Sequence, residues 1–312
     1  MNSSSHAPNC SQLPFSGVVV PEWRPEFLTR EISVGLTSLT VVNLLVSPST
    51  TFLNVLVILA VRTTPQLRNK YNALLACLAG TDIMTGAVGQ PLFIAELIHR
   101  LNGSPASEFC FISHAARSLS RTSALISLQH LALISMERYI SIKFLFQYEN
   151  IVTKHRFVVS VVFAWSLVFL ATLFSFFKHS FLKYLLYLFA IFPAFFILIF
   201  CRVASYHEAR KPIGNITTES AKKKFLKDKK ALKTTSFVIG VVLLNYIPMI
   251  LFRVVFAPLI SSPETFLVIQ SFVITLAFCN SVFNPVIYCA RSREYRRAFK
   301  KLLGRVNYVQ PV

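Results

Sequence analysis

Long apolar runs, separated by short polar or basic segments, recur along this chain from residue 36 to residue 290. Seven are long enough to cross a hydrocarbon core of ~30 Å at about 1.5 Å per helical residue. They are 36–61, 71–98, 111–142, 157–177, 184–207, 234–257 and 266–290. The second and third are interrupted by single polar groups and are read from their length and flanking loops. After the last run, RSREYRRAFKKLL at 291–303 puts Tyr295, Phe299, Leu302 and Leu303 on one side of a helix and bases around the rest. That pattern suits an amphipathic helix lying on a membrane surface; a disordered basic tail is the alternative. The expectation is an all-α membrane protein, a seven-transmembrane helix bundle with a short amphipathic eighth helix. Residues 1–35 form an N-terminal tail, 36–290 the bundle, and 291–312 the amphipathic helix and tail. With short loops, no low-complexity block and no repeat between halves, one domain is expected.

The composition agrees with spans rather than a soluble core: 54% of residues are hydrophobic and only 14% charged, against about 25% charged in soluble domains. A net charge of +19 suggests nucleic acid, but its distribution rejects that reading. Twenty-three Lys and Arg fall in the connections and tail on one side of the spans and five on the other. The positive-inside rule then puts the N-terminus outside and the C-terminus in the cytoplasm, as an odd number of spans requires. The basic excess also offers a contact for anionic membrane lipid. MNSSSHAPNCSQLP lacks the charged start and apolar core of a signal peptide, so the first span is expected to act as an uncleaved anchor. Sequons at Asn2, Asn9 and Asn102 lie on the outer side in this topology, whereas the one at Asn215 is cytoplasmic and should stay bare.

Polar residues at membrane depth point either to function or to hydrogen-bonded contacts between helices. Ser127 and Arg138 are eleven residues apart, about three turns, and share one face of the third span. In the seventh span Asn280, Asn284 and Tyr288 step by four along one stripe, beside Ser281, and Pro285 removes one backbone donor. Asp82 stands in the second span about as deep as Ser127. A carboxylate there needs a cation, a proton or hydrogen-bond donors. Ser127, Asn280 and Ser281 could give oxygens to sodium; a protonated Asp82 in a hydrogen-bonded cluster is the other reading. SMERYISIK at 135–143 ends the third span on Glu137, Arg138 and Tyr139, an acid and a base side by side at the membrane's edge. Taken alone, they read as a snorkelling interfacial pair.

These residues carry a resemblance. Asn54, LACLAGTD ending at Asp82, ERY at 137–139, Trp165, Pro193, Pro248 and NPVIY at 284–288 occur in the order and spans of the rhodopsin-like (class A) G-protein-coupled receptor pattern. The chain resembles that family from about Asn54 to Leu303. The resemblance implies a plasma-membrane receptor for an extracellular ligand, with a heterotrimeric G protein and arrestin as partners, and no enzyme. It implies that Glu137 holds Arg138 at rest and that Arg138 meets the G protein on activation. Asp228 falls where the family often has a second acidic partner, and Tyr139, Pro248, Asn284, Pro285 and Tyr288 belong to the switch. Tyr246 replaces the family's usual tryptophan before the sixth-span proline, and Cys201 stands at a usual tyrosine position. The second outer loop is short, contains no cysteine, and Cys110 comes about one turn early, so the family's usual disulfide is not expected. Cys10 and Cys110 either bridge each other or stay as free thiols.

The family's ligand pocket opens outward between the third, fifth, sixth and seventh spans. Its amine receptors carry an aspartate at about the position of Ser120, yet no acid occurs in 111–136. His114, Arg117 and Arg121 lie near the outer end of the third span instead, and Arg253 enters from the sixth. These cations favour an anionic or lipid-like ligand, since Arg grips a carboxylate or phosphate with two hydrogen bonds. Alternatively Glu96 pairs with Arg117 and Arg121 faces a neighbouring helix. The outer side loosely resembles the melanocortin, lysophospholipid, cannabinoid and adenosine cluster. A retinal sensor would need a lysine in 266–290, which has none. A transporter would need symmetric halves with broken helices, and no such symmetry is present. A binding-only receptor without G-protein coupling stays open. No cofactor is expected besides the sodium ion.

Overall fold

The structure, a computed structural model, describes residues 25–174, 181–210, 218–252 and 262–304, with Val255, Leu259 and Ile260. Seven long helices form a bundle: α1 (Arg30–Thr63), α2 (Lys70–Leu101), α3 (Ala106–Lys143), α4 (Lys154–Phe174), α5 (Phe181–Arg210), α6 (Glu219–Leu251) and α7 (Pro263–Arg291). A short α8 (Arg293–Leu302) follows directly, and one helical turn, Tyr148–Ile151, lies between α3 and α4. Each expected span falls on one of these helices, with 175–177 of the fourth and most of 252–257 of the sixth outside the described residues, and the amphipathic eighth helix is present.

Local chemistry sets the helix starts. The Thr29 hydroxyl accepts from the Ile32 N–H at 3.4 Å, the Asn69 side chain from the Asn72 N–H at 2.9 Å, and the Ser292 hydroxyl from the Tyr295 N–H at 3.4 Å. Each thereby satisfies one of the donors that a helix leaves open at its N-terminus. α7 opens on Pro263, where a missing N–H costs nothing.

Among the described residues, five helices, α1, α2, α4, α5 and α7, carry windows long and apolar enough to cross a membrane. α3 is long but more polar, carrying Arg117, Arg121, Gln129 and His130 along its length, and α6 starts with a lysine-rich stretch before its apolar run. α3 can carry these groups because it packs against α2, α4, α5 and α6 rather than against lipid. The reverse holds on the outside of α4 and α5, where Phe163, Phe169, Phe192 and Phe196 are exposed. An apolar surface of this extent marks a membrane-facing side.

α2 is not uniform, because Thr85–Gly89 forms a π-helical turn. There Gly86 lies against α1, and the Ser47 hydroxyl donates to its carbonyl at 2.7 Å. A Cβ on Gly86 would sit 2.7 Å from Thr51 Oγ1 and 3.0 Å from the Ser47 carbonyl oxygen, so only glycine permits this approach. At the C-terminal end of α1, Tyr295, Ala298 and Phe299 of α8 bury themselves in the same apolar cluster as Val61, Leu67 and Tyr288. Arg296 donates to the carbonyls of Cys289 and Ala290, both at 2.9 Å, and so caps α7. This end of the bundle, with α8 and the lysines of α6, is called the basic end below.

Candidate functional site

At the basic end, three helices meet around one guanidinium. Arg138 donates from Nε to Glu137 Oε2 at 2.5 Å and from Nη2 to Glu137 Oε1. Its Nη1 donates to Asp228 Oδ1 on α6 at 3.1 Å, and the guanidinium lies 4.2 Å from the ring centroid of Tyr71 on α2. All three charged groups are buried. With two carboxylates to one cation, further donors are needed, and two hydroxyls supply them. Ser141 donates to Asp228 Oδ2, and Tyr148, from the turn after α3, donates to Glu137 Oε1 at 2.6 Å. Burial and then the Glu137 carboxylate push the Tyr148 phenol well above its usual range, which keeps it a proton donor. The arrangement is a closed clasp in which α3 holds α6. Tyr139 points elsewhere: its hydroxyl accepts from Lys143 Nζ at 2.7 Å, and its ring packs edge-on against Phe200 of α5.

α6 carries further ties along the same stripe. The Thr235 hydroxyl lies 3.1 Å from that of Tyr71. Pro248 lies farther along α6, and the Tyr246 side chain is outside the described residues.

Midway through the bundle, both oxygens of Asp82 are used. Ser281 Oγ donates to Oδ1 at 2.6 Å and Asn284 Nδ2 to Oδ2 at 2.8 Å. Asn54 Nδ2 donates to the Ser281 carbonyl at 3.0 Å, so α1, α2 and α7 are joined at one level. Of the residues expected beside Asp82, Ser281 is therefore bonded to it. Ser127 is buried but makes no hydrogen bond to it, and Asn280 is buried on the same helix as Ser281. Asn284, read as a switch residue, is a direct Asp82 partner. Pro285 and Tyr288 lie just beyond, with Tyr288 buried against the Tyr295 ring at 5.6 Å.

At the opposite end, Glu96 joins two arginines. Arg100 Nη2 donates to Oε1 at 2.6 Å and Arg117 Nη1 to the same oxygen at 3.1 Å. Of the two readings of Arg117, the structure has the pair with Glu96. Arg121 donates from Nε to the Arg117 carbonyl at 3.4 Å, and His114 sits beside both arginines. Ser120 is half-buried on the same helix. Three arginines and one carboxylate thus leave a surplus of positive charge here. Arg253, Asn2, Asn9, Cys10 and Asn215 lie outside the described residues. Cys110 is disulfide-bonded, which rules out its reading as a free thiol, whereas Cys77, Cys201, Cys279 and Cys289 are free. Asn102 is exposed in the turn after α2, next to Gly103 at φ +67°.

Several partners were not read from the sequence. Arg100 follows Glu96 by four residues on one helix, a spacing that alone announces an ion pair. Tyr71, Ser141 and Tyr148 carry no such signal, since their roles depend on how α2, α3 and the following turn meet. Trp165 donates to His130 Nε2 at 3.3 Å, and His130 Nδ1 lies 2.9 Å from the Ile126 carbonyl, a contact of α3 with α4.

Residues 53–185 match the family described as 7 transmembrane receptor (rhodopsin family). Among curated proteins, the chain is similar to Dopamine receptor 2 of Drosophila melanogaster, with 39% identity over 80 residues. That stretch is 26% of this chain and 15% of the relative's length.

Replacing Ser281 with Ala leaves Asp82 Oδ1 buried without its donor. The expected cost is roughly 1–3 kcal/mol, read as a melting temperature lower than wild type in detergent-purified protein. An unchanged melting temperature would show that this bond contributes nothing.

Proposed function

We propose that this chain belongs to the rhodopsin family of seven-transmembrane receptors and is a plasma-membrane receptor that binds an extracellular ligand and activates heterotrimeric G proteins. The observation that carries this is the clasp of Glu137, Arg138 and Asp228 between α3 and α6. Two buried carboxylates fix a cation at the basic end, and moving α6 outward exposes that cation. The basic end faces the cytoplasm in this reading, following the charge asymmetry of the loops. A ligand that favours the open arrangement shifts the population toward it, by no more than its difference in affinity for the two forms. Arrestin would meet the same opened face, and the bases of α8 rest on anionic lipid.

Sodium is the ion we propose for Asp82. The residues fit a hard cation: the carboxylate, the buried hydroxyls of Ser127 and Ser281, and the amide of Asn280 all present oxygen. The Asn284 side-chain oxygen is also buried without a hydrogen bond. Sodium there would favour the resting arrangement by binding it more tightly than the open one.

For the ligand, the surplus of arginine around Glu96 supports an anionic head group, with the apolar residues nearby holding an apolar body. The relative named for dopamine suggests a second reading, a cationic amine. Against that stands the lack of an acid in 111–136 and the engagement of Glu96 by Arg100 and Arg117.

Two experiments test this reading. In reconstituted receptor, Arg138→Ala should abolish agonist-driven nucleotide exchange on the G protein while surface expression stays near wild type; unchanged exchange would contradict it. An agonist found by screening should lose roughly ten- to a hundredfold in potency with Arg117→Ala, the worth of one charge-assisted bond. Arg117→Lys should lose part of that, because an ammonium lacks the two-pronged grip. A cationic agonist, or anionic agonists indifferent to Arg117, would return Arg117 to a purely structural role.

A further inference from the structure

Arg202 lies on α5 one residue after Cys201, at the basic end, half-buried, and its guanidinium reaches toward α6 and α3. Nη1 donates both to the Leu232 carbonyl at 3.3 Å and to Ser236 Oγ at 3.2 Å, on α6. Nη2 donates to Ser135 Oγ on α3 at 3.4 Å. Ser236 and Ser135 in turn donate to the carbonyls of Leu232 and Leu131, so their hydroxyl oxygens are oriented to accept. Among the described residues no carboxylate reaches Arg202, and its Nε is buried without a partner. A cation partly withdrawn from water with a buried, unpartnered Nε is costly without an acid, so its placement calls for a reason beyond stability.

Position supplies one. α5 packs broadly on α3 but touches α6 at few points among the described residues. Among the described residues, Arg202 spans that gap with hydrogen bonds. Asp228, Leu232, Thr235 and Ser236 follow one another at helical spacing, so the stripe of α6 that faces the bundle is held three times over. Asp228 is tied to Arg138, Thr235 to Tyr71, and Leu232 with Ser236 to Arg202. The three ties have different partners on three different helices. The Arg202 bonds are also long, between 3.2 and 3.4 Å, and go to neutral acceptors. Such bonds hold a helix yet release it more readily than an ion pair does.

We propose that Arg202 is a second latch on α6, a positioning residue that holds the resting arrangement independently of the Arg138 clasp. It acts through α6 and makes no demand on the ligand. The proposal rests on the receptor reading only in giving the α6 movement a purpose.

The test is a distance measurement by paired spin labels at His155→Cys on α4 and Leu226→Cys on α6, both exposed, in purified receptor without G protein. Arg202→Leu should move the distribution toward longer separations, with the open population raised several-fold. Arg202→Lys, which keeps one donor group, should fall between that variant and wild type. Ser236→Ala, which leaves Arg202 in place and removes one acceptor, should shift the distribution less than Arg202→Leu and guards against a variant that fails to fold. Combined with Asp228→Asn, the effect of Arg202→Leu on the free energy of opening should be additive, as separate partners require. Distributions of Arg202→Leu and Ser236→Ala that both coincide with wild type would overturn the latch, and strong non-additivity would overturn its independence. Longer distances without any nucleotide exchange would keep the latch and refute G-protein coupling instead.

Discussion

The buried cation of Arg138 constrains the basic end of this bundle more than any other group. In water, an arginine between two acids contributes little; taken out of water, each charge must be satisfied or the arrangement fails. Glu137 alone could neutralise Arg138 from the same helix without fixing anything else. The second carboxylate, Asp228, comes from α6, and that is why the pair becomes a clasp between helices. Once both acids are committed, their remaining oxygens demand donors, which brings in Ser141 and draws the turn after α3 inward through Tyr148. A single charge therefore organises α2, α3, α6 and a connection.

The same logic, at lower cost, runs through the rest of the bundle. Lipid tails are as apolar as leucine, so apolar faces alone give helices little reason to choose one another. Polar bonds make the choice. Asn54, Asp82, Ser281 and Asn284 join α1, α2 and α7. Farther toward the opposite end, Asn43 donates to Thr275 at 2.8 Å and accepts from Gln90 at 3.3 Å, joining the same three helices again. Gly86 lets α1 and α2 approach closely enough for Ser47 to add its bond. α4 has few such groups beyond Thr172 and Trp165, and correspondingly presents most of its surface outward.

Much of this was legible in the sequence because it depends on the chain alone. The length of an apolar run fixes a span, and a spacing of four or eleven puts residues such as Asn284 and Tyr288, or Ser127 and Arg138, on one face. Which helix that face meets does not follow from spacing. Asp82 accordingly takes its two donors from Ser281 and Asn284, both on α7, and Ser127 makes no bond to it. Arg117 offered two readings that spacing could not separate, until the packing of α2 on α3 brought Glu96 to it. Helix ends were also obscure, because hydropathy marks where lipid ends and not where hydrogen bonding does. α6 thus begins at Glu219, well before the apolar run at 234–257. The π turn at Thr85–Gly89 and the reach of Arg202 toward α6 leave no pattern in the sequence at all.

The claim that one buried charge cluster holds the basic end shut is tested most directly by hydrogen–deuterium exchange on Asp228→Asn, a change of charge with almost no change of shape. Loss of the charge-assisted bond should weaken the closure by about 1.5–3 kcal/mol, so amide exchange in 225–236 of α6 should quicken by roughly tenfold or more relative to wild type. The amides around Asp82 should be unaffected. Exchange in α6 that matches wild type would contradict the account and leave the closure to packing alone.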